Sequence, residues 1–184
     1  MIELIYIIYV IAEWVNTLYY SIIFGAPAFI ANAVPVFVSG LGRIDRGLKL
    51  KDGKALLGSH KTNGGLISAV LVGLLVGLVA PLYFPEIFYE SELEGYQLFI
   101  GPLMGFGAIL GDAIGSFVKR RINIKPGAPF PIVDQIGFIF VAFILAEIFV
   151  NIPSTWWWVI PFTLVLHIGS NLIAYFFGWK EVWY

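Results

Sequence analysis

The 184-residue chain contains no cysteine and only two histidines and two methionines, and 12% of its residues are charged against 59% hydrophobic. The missing cysteines exclude disulfides, thiolate metal sites and cysteine nucleophiles. The shortage of charge excludes an ordinary water-soluble domain, for which about 25% charged residues is usual. Charge is absent altogether from residues 14–42, 62–85, 95–111 and 148–179. A membrane span needs about 20 mostly apolar residues, so the chain has room for five or six spans and little else. A large soluble catalytic domain is excluded, and any chemistry must lie in the spans or in short loops. With a net charge of −1, no nucleic-acid partner is expected.

The charges that are present are sharply sorted. Ten of the eleven Lys and Arg lie in two stretches: Arg43, Arg46, Lys49, Lys51, Lys54 and Lys61, then Lys119, Arg120, Arg121 and Lys125. Only Lys180 stands apart, while residues 86–94 carry Glu86, Glu90, Glu92 and Glu94 and no basic residue. The positive-inside rule puts both basic loops in the cytoplasm and the Glu loop outside. The apolar runs between them predict an all-α, polytopic membrane bundle of about five helices, near 8–38, 63–82, 96–118, 132–151 and 155–179, forming a single domain over 1–184. Five spans leave the N-terminus outside and Lys180 inside. Residues 2–38 are too long for one straight span, and Gly25-Ala26-Pro27 and Pro35 offer places to break the first segment, which would give six. The hydrophobic N-terminus has Glu3 in place of a basic leader and reads as a mature helix, not a signal peptide.

Glycines recur at four-residue spacing in Gly73/Gly77, Gly101/Gly105 and Gly107/Gly111/Gly115, which lets helix backbones approach closely in lipid. Those faces can pack within one chain or between two, so a homodimer is open. Trp156-Trp157-Trp158 falls where an interfacial aromatic belt is expected.

Ionisable side chains at membrane depth are costly and usually face protein or water. Asp112, Ser116 and Lys119 share one helix face at i, i+4 and i+7. Arg120 and Arg121 follow, then Lys125-Pro126-Gly127, then Asp134-Gln135 at the start of the next helix. Two carboxylates at the same end of consecutive antiparallel helices can converge on one cation. Oxygen ligands beside Lys and Arg suggest Mg²⁺ bound with a nucleotide. The spacing is equally compatible with the carboxylates merely neutralising Lys119, Arg120 and Arg121 at the membrane edge. The first basic loop ends in Gly58-Ser59-His60-Lys61-Thr62-Asn63-Gly64-Gly65, an anion cradle at a helix start, or alternatively a polybasic loop on lipid headgroups. His167, Asn171 and Tyr175 share a face of the last helix, and Asn16, Thr17 and Asn32 add polar groups to the first. Interhelical hydrogen bonding explains these as well as substrate contact does. Glu13 and Glu147 have no assigned role.

Taken together, these motifs resemble the archaeal CDP-archaeol synthase family, relatives of bacterial CDP-diacylglycerol synthase among integral-membrane cytidylyltransferases. The likeness runs from about residue 28 to 180. Its core is Gly111, Asp112, Ser116, Lys119, Arg120, Arg121, Lys125, Pro126, Gly127, Asp134 and Gln135. The family's His-Lys-Thr matches His60, Lys61 and Thr62; its Arg-(Pro)-Ile-Asp resembles Arg43, Ile44 and Asp45 without the Pro; its Ala-Asn-x-x-Pro matches Ala31, Asn32 and Pro35. His167, Asn171, Ala174, Tyr175, Gly178 and Lys180 resemble its last helix. The chain departs from the pattern at Asn63-Gly64-Gly65, where the family often has Trp-Arg-Gly, and at Gly137, where it often has an acidic residue.

The resemblance implies Mg²⁺-dependent transfer of CMP from CTP to an isoprenoid-ether glycerol phosphate, giving unsaturated CDP-archaeol and pyrophosphate. It implies Asp112 and Asp134 as metal ligands, with Lys119 completing the catalytic set. Asn32, Lys61, Thr62, Ser116, Lys119, Arg120, Lys125 and Gln135 would contact the nucleotide, and Arg43 or Arg121 the lipid phosphate. The competing readings are a small transporter or channel, which would place charges near the midplane and often carry an internal repeat, and another membrane lipid-headgroup transferase. A scaffold without chemistry would bury polar groups at a cost of several kcal/mol without benefit.

Overall fold

The computed structural model describes residues 1–38, 40–88, 97–125 and 128–179. Glu90, Glu92, Glu94, Pro126, Gly127 and Lys180 therefore lie outside the described residues. The chain is built from α1 (Ile2–Ala33), α2 (Asn63–Tyr83), a short α3 (Pro85–Phe88), α4 (Gln97–Arg121), α5 (Val133–Glu147) and α6 (Val159–Phe176). Among the described residues there is no β-strand, only the isolated bridges Arg43–Thr62 and Lys49–Ala55 in the first loop. The all-α membrane bundle expected from the apolar runs is the fold observed.

The first segment stays whole, as the five-span reading has it, but runs from Ile2 to Ala33 instead of from 8 to 38. Gly25-Ala26-Pro27 does not interrupt α1, which runs unbroken for 32 residues and ends in a 3₁₀ turn at Val34–Val36. In lipid there is no water to satisfy a freed carbonyl, so a proline is accommodated within a helix instead of ending it. Gly25, Pro27 and Ala28 are buried against the bundle. The fourth predicted segment is also shorter than expected. Helix α5 spans 15 residues, about 22 Å at 1.5 Å per residue, while α1, α2, α4 and the segment Ser154–Phe176 are each long and apolar enough to cross a membrane.

Helix α4 is central, packing against α1, α2 and α5. Its glycines set the spacing: a Cβ at Gly101 would run into the Gly73 carbonyl of α2, and one at Gly105 into the Ala69 carbonyl. On the other side, a Cβ at Gly111 would strike the backbone of Gly137 and Phe138 in α5. The small-residue faces are thus consumed inside one chain. Leu71, Leu75, Phe99, Ile144 and Val165 remain exposed around the outside, the surface that lipid covers.

The end of the bundle away from the basic loops is closed by aromatics. Trp156 is buried, its ring 5.2 Å from Phe24, and Trp157 packs 5.6 Å from Phe143. Of the tryptophan run expected at the interface only Trp158 is exposed, because the 3₁₀ turn Ser154–Trp158 folds the other two inward. Glu147 acts locally, its carboxylate accepting from the Ile152 N–H at 3.3 Å.

Candidate active site

The site is assembled at the basic end from the first loop and the facing ends of α4 and α5. The first loop folds back on itself: Arg43 bridges to Thr62, and the Ile44 N–H donates to the Lys61 carbonyl at 2.9 Å. Its organiser is Asp45, whose side chain is fully shielded. The carboxylate accepts from the N–H groups of Gly47 (2.9 Å), Leu57 (3.0 Å) and Gly58 (3.3 Å), and Arg43 Nε lies 3.2 Å from it. Burial pushes its pKa upward, but the three N–H donors and the guanidinium outweigh it and hold the carboxyl below the usual carboxylate range. Thr62 caps α2 by accepting from the Gly65 N–H at 3.1 Å, which fixes where Lys61 emerges.

Lys61 Nζ donates to Asp112 Oδ2 of α4 at 2.9 Å across 51 positions of sequence. About two turns further along the same face, Lys119 Nζ donates to Asp134 Oδ2 of α5 at 2.6 Å. Asp134 is approached through an unusual backbone. Ile132, at φ 71° and ψ −61°, forms a γ-turn in which the Val133 N–H donates to the Pro131 carbonyl at 2.9 Å. A positive φ at a β-branched residue is rare and strained, and such strain concentrates at functional sites. The Phe130 N–H completes the grip on Asp134 Oδ2 at 2.8 Å.

Around these pairs lies an open cavity of about 750 Å³, lined by Asn32, Arg43, His60, Lys61, Thr62 and Asp112 among others. A smaller one of about 100 Å³ shares Ser59, His60 and Lys61 with it and adds Ser116, Lys119 and Arg120. Asn32, Arg43, Lys61, Thr62, Asp112, Ser116, Lys119 and Arg120 are thus brought together as the sequence led one to expect. Lys125, Gln135 and Asp134, the second expected metal ligand, line neither of these two cavities. Arg121, expected at the lipid phosphate, is engaged elsewhere. It donates to Asp52 at 2.8 Å and to the Ala55 carbonyl at 2.6 Å, and lies 5.0 Å over the Phe117 ring, while Lys54 donates to the Arg121 carbonyl at 3.1 Å. It clasps the first loop to the end of α4. On α6, His167 rests against Phe138 and contributes to neither cavity.

Sequence reasoning missed three contributors. Asp45 was noted only as part of a motif, although an Asp two residues before Gly47 is a turn signal. Asp52 gave no sign of its pairing with Arg121. The γ-turn at Ile132 has no sequence signature, since it places an unsuitable residue there.

For a metal, the available donors are hard oxygens. Among the described residues no cluster of three or more His, Asp or Glu converges, so an all-protein metal cage is not built. Mg²⁺ commonly needs only one or two carboxylates when substrate phosphates complete its shell. Asp112 supplies one, and the buried Asn32 Oδ1, without a hydrogen-bond partner, lies in the same cavity wall. The donor set fits Mg²⁺ carried by a nucleotide better than a free-standing metal centre.

Comparison with known proteins identifies the family. Residues 14–184 match the sequence model of the family described as CarS-like, CDP-archaeol synthase. A CDP-archaeol synthase of Thermococcus kodakarensis is 40% identical over 92% of this chain and 98% of its own length. One from Methanocaldococcus jannaschii is 36% identical over 91% of the chain and all of its own length. A solved structure described as an intramembrane enzyme for archaeal membrane lipids biosynthesis superposes with a TM-score of 0.73 at 33% identity, covering 84% of this chain and 94% of that one. A multi-helix membrane bundle, the Gly-Asp…Lys-Arg-Arg…Asp-Gln motifs gathered at one end and these matches agree, and the chain belongs to the CarS-like CDP-archaeol synthase family of enzymes.

Proposed function

We propose that the protein transfers the cytidylyl group of CTP to the phosphate of an isoprenoid-ether glycerol lipid and releases pyrophosphate, with both basic loops at the cytoplasmic face. The observation that carries this reading is the pair of carboxylate–lysine contacts, Asp112–Lys61 and Asp134–Lys119, set beside adjoining cavities that share Lys61. A magnesium–nucleotide complex presents a cation to the carboxylates and phosphates to the ammonium groups. It can therefore exchange with both pairs while every charge keeps a partner, and the partly exposed carboxylates are accessible to it.

In the reaction, a lipid phosphate oxygen attacks the α-phosphorus of CTP, a P–O–P bond forms, and the bond to the departing pyrophosphate breaks. The attacking phosphate is already an anion at neutral pH, so no general base is needed. The task for the protein is to hold two anions in line and to neutralise charge on the leaving group. Lys61, Lys119, Arg120 and Lys125 bear on the triphosphate, with Asn32, Thr62, Ser116 and Gln135 as polar contacts. Arg43, held by Asp45 at the wall of the large cavity, receives the lipid phosphate. Mg²⁺ held by Asp112 beside Asn32 would supply further charge neutralisation on the phosphates, and Asp134 would join it on exchanging its contact with Lys119.

Purified protein given radiolabelled CTP, Mg²⁺ and either the ether-lipid phosphate or its diacyl counterpart tests this directly. Label should pass to the ether lipid only when Mg²⁺ is present, and excess ATP should not suppress it. Absence of labelled lipid, or preferential use of ATP, would replace this reading with another headgroup transferase.

A further inference from the structure

The glycine faces that could have paired two chains are occupied within one, yet one long apolar surface has no partner. Helix α1 has 32 residues and α2 has 21, lengths of about 48 Å and 31 Å. The second already matches the roughly 30 Å hydrocarbon thickness of a bilayer. The far end of α2 lies level with the middle of α1, where Tyr19 packs 6.2 Å from Phe84. Trp14 meets Trp158 at 5.4 Å, and residues 1–9 are all exposed. The first third of α1 therefore extends past the end of α2 and past the Ser154–Trp158 turn.

That protruding helix is patterned. Leu4, Ile8, Ile11 and Val15 recur at alternating spacings of four and three and are 57–61% exposed. With Ile8 at heptad position a, these four fill a and d, and Ile5, Ile7, Ala12 and Trp14 fill the flanking e and g. Every charged or amide-bearing residue of the stretch (Glu3, Glu13, Asn16) and Thr17 falls on b, c or f, the opposite side. A helix facing only lipid has no reason to segregate its polar groups in a 3.5-residue repeat, whereas a two-stranded coiled coil does.

We propose that α1 pairs in parallel with α1 of a second copy of this chain along the Leu4, Ile8, Ile11 and Val15 seam. Both copies enter the membrane in the same sense, so their first helices run parallel without further constraint. Ile8 and Val15 at a with Leu4 at d match the preference of parallel dimers, and Ile11 at d is the one departure from it. Leu4, Ile5, Ile7, Ile8, Ile11 and Val15 on the a, d, e and g positions are each 53–61% exposed, and Met1, also at a, is 97% exposed. They hold on the order of the 800 Å² per partner that a standard stable interface buries. Most of the seam precedes residue 14, where the family match begins, so this pairing is an addition to the shared domain and does not depend on the proposed reaction.

The absence of cysteine makes the test direct. Single variants Leu4→Cys, Ile8→Cys, Ile11→Cys and Val15→Cys on the seam, and Tyr6→Cys, Tyr9→Cys and Glu13→Cys off it, are oxidised in membranes containing the full chain. Seam positions should give about tenfold more disulfide-linked dimer than off-seam ones, because only they bring Cβ atoms within the ~3.5–4.5 Å that a disulfide requires. Light scattering of the unaltered protein in mild detergent should show twice the 20.5 kDa chain mass. The fourfold alanine variant of the seam should shift it to the monomer. Weak cross-linking without periodicity, together with a monomer in detergent, would overturn the proposal in favour of lipid alone. Adducts of a mass other than two chains would overturn it in favour of a different membrane protein.

Discussion

The two ends of the bundle are closed by opposite means. At one end Phe24, Phe143, Trp156 and Phe88 fill the space between helices, leaving aromatic rings in edge and tilted contact. At the other, charged side chains reach across gaps: Lys61 to Asp112, Lys119 to Asp134, Arg121 to Asp52. Packing seals an end because dispersion rewards filled volume. Ion pairs close an end while leaving room, because long side chains bridge an opening of about 750 Å³ that they do not fill. The aromatic end is therefore built for stability and the charged end for exchange of partners.

That contrast predicts that substitutions at the two ends fail in different measurements. The largest effect belongs to the exchangeable pairs. Asp112→Asn and Asp134→Asn should each lower turnover by at least about a hundredfold, while thermal unfolding in detergent stays close to that of the unaltered protein. Trp156→Ala should do the reverse, costing about 3–5 kcal/mol of stability with CTP affinity retained in whatever fraction remains folded. If Trp156→Ala abolished nucleotide binding without unfolding the bundle, the division between the ends would be broken.

Smaller effects sharpen the comparison within the charged end. Asp45→Asn turns an amide N–H₂ toward N–H donors that need an acceptor, at a cost of about 1–3 kcal/mol. It should speed hydrogen exchange across residues 43–62 without changing exchange in α5. Because the Asp45 carboxyl is held below the usual range, its contribution is present at neutral pH. It is lost only as pH falls through that lowered value. Protection of this loop, taken relative to the intrinsic exchange rate at each pH, should accordingly be flat from pH 8 to about pH 5 as far as Asp45 governs it, and fall in stronger acid. The smallest effect is expected from Arg121→Gln, which removes a partly exposed ion pair worth about 0–1 kcal/mol. A loss of activity as large as that of Lys119→Gln would return Arg121 to the substrate.

Much of the architecture was legible beforehand. Uncharged runs place the helices, and sorted charges place the loops, because lipid leaves a chain little choice about where either goes. The face shared by Asp112, Ser116 and Lys119 was also readable, since helical spacing is a local property. Their partners were legible only in part, since neutralisation of Lys119 by one of the two carboxylates was a reading the spacing left open. Asp112 is paired with Lys61 from another element, and Lys119 with Asp134 from the next helix. Pairing at that range depends on how α2 and α5 seat on α4, which close contacts such as Gly111 against Gly137 govern. The same gap explains why Arg121, one of two residues expected at the lipid phosphate, is found on Asp52, and why the sequence left open whether the first segment breaks at Pro27.

By itself the sequence determined the solvent, the helical class, which groups of charge share an end, and, through its motifs, the family. Those follow from composition and from periods of a few residues, which report what each segment requires of its surroundings. The tertiary structure alone decided which cation meets which carboxylate, which tryptophans go inside, and how far α1 outruns the bundle. These depend on distances between segments far apart in the chain, set by side-chain volumes packing against one another, and no local pattern encodes them.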